Sequence, residues 1–258
     1  MFLTPKSLLY TFTIILLISL GCSISKKEPE RPATLEPFNA KNYLEKAEAK
    51  IKEGNSYEAQ LLLEDVVAMD ATKQYEPIAR LRLGDIHYEK NEYIAAVEEY
   101  KRFLEMYEHH EYASYAQYRY AMSFLKQVDS IDTGYELAMQ ALAEFRKLQE
   151  KFPRNPYMAE TEERIQMCLN ILAEHELYVG KFYYKKGSYQ AATRRFQELL
   201  RNYPHIKNES EVLLLLGYSF NKLNEKHRAV ETLRTVIQKY PHSKDAKKAQ
   251  KMIANIME

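Results

Sequence analysis

The chain has no tryptophan, only 7 glycines and 9 prolines, and just 2 cysteines in 258 residues. So little glycine and proline argues against a loop-rich β architecture, which needs turn residues at short intervals. The two cysteines, Cys22 and Cys168, lie in unlike settings, so a disulfide scaffold is not the first reading. Cys168 sits inside a helical pattern and reads as a small apolar residue. A formal net charge of +1 gives no bulk basic field, which removes the usual footprint of a nucleic-acid binder. Chemistry-bearing motifs are missing too. There is no glycine-rich phosphate loop, no Cys-x-x-Cys and no Gly-x-Ser-x-Gly elbow. His175-Glu176 starts like a zinc-protease helix, but Val179 stands where the second histidine would have to be. His109-His110-Glu111 reads as a solvated turn between repeats rather than a metal site. No enzyme activity and no cofactor are expected.

What the chain does contain is apolar material (46%) and tyrosine (21). Lys6 precedes an uncharged apolar run over 8–20, too short for a spanning helix of ~20 residues but suited to a signal peptide. The run ends in Ser19-Leu20-Gly21-Cys22, which resembles a bacterial lipobox with Ser19 in place of the usual leucine. That resemblance implies cleavage after residue 21, leaving Cys22 as the new N-terminus with an S-diacylglycerol and an N-acyl chain. Such acyl chains bind membranes at ~0.8 kcal/mol per buried methylene, enough in combination to hold a soluble domain firmly. Loss of Lys6 with the leader brings the mature chain to formal neutrality. The stretch to residue 40 carries Pro29, Pro32, Pro37 and many charges, so it reads as a flexible tether. The division is 1–21 signal peptide, 22–40 lipidated cysteine and tether, and 41–258 folded domain.

From residue 42 a pattern recurs. A small residue in one helix is followed twelve positions later by alanine in a second helix, then by large apolar residues four and seven further on. The copies read Ala47/Ala59/Leu63/Val66, Gly84/Ala96/Tyr100/Phe103, Ala121/Ala141/Phe145/Leu148, Gly180/Ala192/Phe196/Leu199 and Gly217/Ala229/Leu233/Val236. The third copy has eight extra residues between its helices, around Asp129-Ser130-Ile131-Asp132. The small residues recur at 37, except that Ala121 and Gly180 are 59 apart. The remaining excess falls in one long helix expected over 158–186. Phe152-Pro153, Tyr203-Pro204 and Tyr240-Pro241 stop second helices. Asn91-Glu92, Gly187-Ser188 and Asn224-Glu225 make the turns within pairs. Small residues let antiparallel helices approach closely, and the large ones fill the space against the next pair. One pair cannot bury its own face, but a stack can. The expected fold is all-α, a right-handed superhelical tetratricopeptide solenoid of about five helix pairs. The repeats lie near 41–76, 77–112, 113–156, 172–207 and 210–245, followed by a C-terminal helix.

One block is more specific. Residues 183–204 run Tyr-Tyr-Lys-Lys-Gly-Ser-Tyr-Gln-Ala-Ala-Thr-Arg-Arg-Phe-Gln-Glu-Leu-Leu-Arg-Asn-Tyr-Pro. Upstream stand Phe152-Pro153-Arg154-Asn155-Pro156-Tyr157 and Glu163-Arg164-Ile165. This resembles the BamD family of outer-membrane assembly lipoproteins over nearly the whole mature chain. The third-repeat turn differs, since the family has Asp-Arg-Asp where this chain has Asp129-Ser130-Ile131-Asp132. The resemblance implies a non-catalytic subunit on the periplasmic face of the outer membrane. It would be joined to the β-barrel insertase BamA and other assembly-machinery subunits, and would help receive unfolded β-barrel proteins. Another lipid-anchored tetratricopeptide scaffold of the envelope is the alternative, but it has no reason to keep the 183–204 block.

Two surfaces follow. Arg195 matches the family's arginine implicated in communication with BamA, and it lies in a basic cluster with Arg194 and Lys186. Phe196 should face the core and Arg195 should project about 100° away from it. In the first three repeats, first-helix residues one turn either side of the small residue should face a concave groove. They are Leu44, Glu48, Ile51, Leu81, Asp85, Tyr88, Tyr118, Met122 and Leu125. Aromatic and apolar faces with a few charges suit an extended substrate segment ending in an aromatic residue.

Overall fold

The structure, a computed structural model, describes residues 38–129 and 134–258. Cys22, the leader and most of the tether lie outside the described residues, as do residues 130–133 of the long third-repeat turn. Eleven helices follow one another, with no strand among the described residues. The first repeat is α1 (Ala40–Lys52) and α2 (Ser56–Met69); the second is α3 (Glu76–Glu89) and α4 (Tyr93–Met106). The third is α5 (Ala113–Leu125) and α6 (Gly134–Lys151). The long helix α7 (Met158–Lys185) pairs with α8 (Tyr189–Asn202), and α9 (Glu209–Lys222) with α10 (Lys226–Lys239). The final helix is α11 (Lys244–Met257). This is a tetratricopeptide solenoid of five pairs and a closing helix.

Local chemistry sets the ends of the helices. Asn39, Asn55 and Ser243 cap α1, α2 and α11 by accepting backbone N–H bonds from Asn42, Glu58 and Ala246. The turns inside pairs need a left-handed residue at one position. Asn91 (φ 61) and Asn224 (φ 63) fill it in the second and fifth repeats, and Gly187 (φ 77) in the fourth. Asp70 organises the loop between the first two repeats. It accepts the Thr72 hydroxyl at 2.6 Å and the Tyr75 backbone N–H at 2.8 Å. Burial pushes its carboxyl pKa upward, but these bonds outweigh burial and hold it below the usual carboxylate range.

The small residues do what the spacing requires. A Cβ placed on Gly84 would lie 2.7 Å from the Tyr100 ring, and one on Gly217 2.7 Å from Leu233. On Gly180 it would lie closer still to the Phe196 ring. In each case the crowding partner is the large residue sixteen positions on. Tyr100, Phe145, Phe196 and Leu233 are accordingly fully buried.

The core divides inside α7. Ile165, Cys168 and Leu172 belong with the second and third repeats, whereas Ala173 and Leu177 belong with α8 to α11. The first half of α7 therefore closes one stack and its second half opens another. Tyr135, at the start of α6, lies 4.5 Å from His175 ring to ring. Since α6 runs antiparallel to α7, the last ten or so residues of α7 overrun α6 by ~15 Å.

Candidate interaction surface

The inner side of the first three repeats is built on Asp85. Its Oδ1 accepts the hydroxyls of Tyr100 and Tyr115, each at 2.7 Å. Its Oδ2 accepts from Arg82 Nη1 at 3.2 Å, and Arg82 Nε donates to Glu48 on α1 at 2.6 Å. Arg119 on α5 donates to the Tyr100 hydroxyl at 3.2 Å and to Glu89 at 2.9 Å. Its guanidinium lies 3.7 Å from the Tyr88 ring centroid. One carboxylate thus connects α3, α4 and α5, and Arg82 extends the network to α1. Burial and then the charge of Asp85 push the Tyr100 and Tyr115 pKa values well above the ordinary tyrosine value. Both phenols stay protonated and act as donors. Beside this hub, Tyr118 stacks on Tyr157 with centroids 4.9 Å apart, and Tyr115 approaches the same ring at 6.0 Å.

Of the nine groove residues expected from the repeat spacing, five are half-buried: Leu44, Glu48, Ile51, Asp85 and Tyr118. The other four, Leu81, Tyr88, Met122 and Leu125, are buried in the core. Their assignment to an open surface is corrected, because neighbouring repeats close over them, as Arg119 does over Tyr88. The sequence did not place Arg82, Tyr115, Arg119 and Tyr157 on this face, and it marked Tyr100 for packing alone. A signal existed for two of them, since Arg82 and Arg119 both stand two positions before the small residue, 37 apart.

The basic cluster separates on folding. Phe196 is fully buried, as its place on the apolar stripe requires. The Arg195 side chain is 41% exposed and pairs with Glu176 on α7 at 3.5 Å. Arg194 is exposed. Lys186 is drawn elsewhere, with its ammonium 5.7 Å from the Phe182 ring, so the structure does not join it to the Glu176–Arg195 pair. His110 packs against Phe103 (5.5 Å) and Tyr112 (5.6 Å), an aromatic turn between the second and third repeats. Among the described residues no group of three His, Cys, Asp or Glu side chains is placed to hold a metal ion. Nor does any described helix have the length and apolarity to cross a membrane.

Residues 38–232 match the family model YfiO, described as outer membrane lipoprotein. The chain is 24% identical to the outer membrane protein assembly factor BamD of Neisseria meningitidis serogroup A, covering 89% of this chain and 92% of that protein. It is 27% identical to the BamD of Caulobacter vibrioides over 80% of this chain and 67% of that one. Among solved structures, a thermophilic tetratricopeptide protein of Thermus thermophilus aligns over 85% of this chain and 99% of its own, with 14% identity and a TM-score of 0.38.

Proposed function

The chain belongs to the YfiO family of outer membrane lipoproteins, and from that premise we propose that it serves the β-barrel assembly machinery by holding BamA and presenting unfolded barrel chains to it. It is a non-catalytic outer membrane protein assembly factor, and its repeats work as a binding surface. The observation that carries the reading is the family match from the first repeat into α10 of the fifth, together with the 183–204 block folded as the end of α7, a turn and α8. In that block the buried Phe196 aims Arg195 outward. A guanidinium there can make bidentate bonds to a carboxylate, which lysine cannot reproduce. Arg194 adds charge beside it. The half-open inner face around Asp85, Tyr118 and Tyr157 suits an extended segment that carries an aromatic side chain. A polypeptide there would find stacking rings, a carboxylate and two guanidiniums.

Removing an interfacial charge costs ~2–5 kcal/mol at a desolvated contact and much less at a rim. Arg195→Ala is therefore expected to reduce BamA co-purification in mild detergent, with helicity unchanged. Arg201→Ala, six residues on and on another side of α8, is the control. Equal BamA recovery by both variants at low and high salt rejects the assignment. Cys22 is expected to carry the lipid anchor that holds the domain on the periplasmic face. Mass spectrometry of the mature N-terminus should find the acylated cysteine; an intact Met1 or an N-terminus beyond residue 22 rejects it.

A further inference from the structure

The first helix of each repeat has a face reserved for the repeat before it, two positions before and two after the small residue. In the second repeat these are Arg82, bonded to Glu48 on α1, and Ile86, buried with Tyr43 and Ala47 of the first repeat. In the third they are Arg119, laid against Tyr88, and the fully buried Ser123. In the fifth they are Leu215, packed into the last core, and the fully buried Ser219. At the N-terminal end of the described array this face meets solvent, and it carries Glu45, 67% exposed, and the small Ala49.

The fourth repeat breaks this rule. Its two positions are Tyr178 and Phe182, which are 56% and 50% exposed. They sit on the part of α7 that overruns α6, where no first helix of a preceding repeat lies alongside. Two large aromatics on an inter-repeat face without its repeat are the reverse of the Glu45/Ala49 solution at the solvent end. The neighbourhood is also basic. Lys186 leans over the Phe182 ring, and Lys185 is exposed beside it. Residues 172–258 hold 16 Lys and Arg against 9 Asp and Glu, whereas 38–171 hold 17 against 24. Charges that alternate along the chain are thus biased between its halves, and the later half favours an acidic partner.

We propose that this overrun of α7 is a docking face for an α-helix of a partner protein. That helix would lay an apolar stripe on Tyr178 and Phe182 and bring aspartates or glutamates to Lys185 and Lys186. In the second, third and fifth repeats the slot is filled by the repeat before it, and packed helices lie at interaxial distances of ~8–10 Å. The site is separate from the Arg195 contact. Glu176, which holds Arg195, is two residues before Tyr178 and about 200° round the helix.

A photo-crosslinking phenylalanine analogue at position 178 or 182 of the full lipidated chain, irradiated in its native membrane, tests this. Sequencing of the attached peptide should give one partner segment with helical apolar spacing and acidic residues. Lys185→Glu combined with Lys186→Glu should lower the yield at least tenfold. Arg195→Ala should leave it unchanged, so loss of the BamA assignment would not count against this face. The isolated Tyr178→Ser/Phe182→Ser variant should melt like the parent. No adduct, an adduct to lipid, to a β-strand or to a second copy, indifference to the charge reversal, or a large drop in melting of the serine variant would each overturn the proposal.

Discussion

Phe196→Ala should cost about 3–5 kcal/mol, while Gly180→Ala alone should cost ~1–3 kcal/mol, and the two together should cost no more than Phe196→Ala does by itself. The first figure follows from a fully buried aromatic leaving a cavity. The second follows from a methyl group forced well inside van der Waals contact with the Phe196 ring. Once that ring is gone the methyl has room. What remains of the Gly180 change is then the helix propensity of alanine, worth up to ~1 kcal/mol in the stabilising direction. The sign of the Gly180 effect should therefore reverse between the two backgrounds. Denaturant titration of the four proteins measures the cycle, and additivity within ~0.5 kcal/mol would refute the close contact. Hydrogen exchange adds a spatial check. The core breaks between Leu172 and Ala173, and solenoid stability is a sum of local terms. Amides of α8 to α10 should lose protection in Phe196→Ala, while those of α1 to α4 keep theirs.

The repeat architecture was legible because it is written in volume. A missing side chain at Gly84, Gly180 or Gly217 and a large one sixteen positions later is a local, periodic signal, and the folded contacts match it. The stops before Pro153, Pro204 and Pro241 and the length of α7 were legible for equally local reasons. The interaction surface was less so. Spacing says which side of a first helix turns inward, but not whether the next repeat covers it, and so Leu81 and Leu125 were placed outside when they belong inside. The Asp85 hub draws its donors from three helices, and no window of sequence brings Arg82, Tyr100, Tyr115 and Arg119 together. The exposure of Tyr178 and Phe182 is a consequence of relative helix length. Their aromatic character alone reads as core, and only the overrun of α7 past α6 takes their cover away.

Asp85→Ala should be the most damaging polar substitution, at about 3 kcal/mol, because it strands groups that cannot reach water. The Tyr100 side chain is fully buried, and its hydroxyl proton is committed to Asp85 Oδ1. Arg119 donates to that same hydroxyl and so cannot accept the proton in place of Asp85. Arg82 loses one carboxylate but retains Glu48, and Tyr115 is only half-buried, so both recover part of what they lose. Asp85→Asn keeps an acceptor for the two phenols while removing the charge that faces the guanidiniums, so it should cost about half as much. Adding Tyr100→Phe to Asp85→Ala removes the stranded donor. The double variant should then be more stable than the sum of the single changes by at least ~1 kcal/mol. The pH profile gives a second reading. Tyr100 and Tyr115 have folded pKa values raised by burial and by Asp85, so the fold binds protons that the unfolded chain releases. Stability of the parent is full below about pH 10, where free tyrosine ionises, and falls as pH rises beyond it. Asp85→Ala removes one of the two causes, and its decline above about pH 10 should be shallower. Additive energies in the Tyr100 cycle, together with an unchanged alkaline slope, would show that the three repeats are joined by packing alone and that the hub contributes nothing of its own.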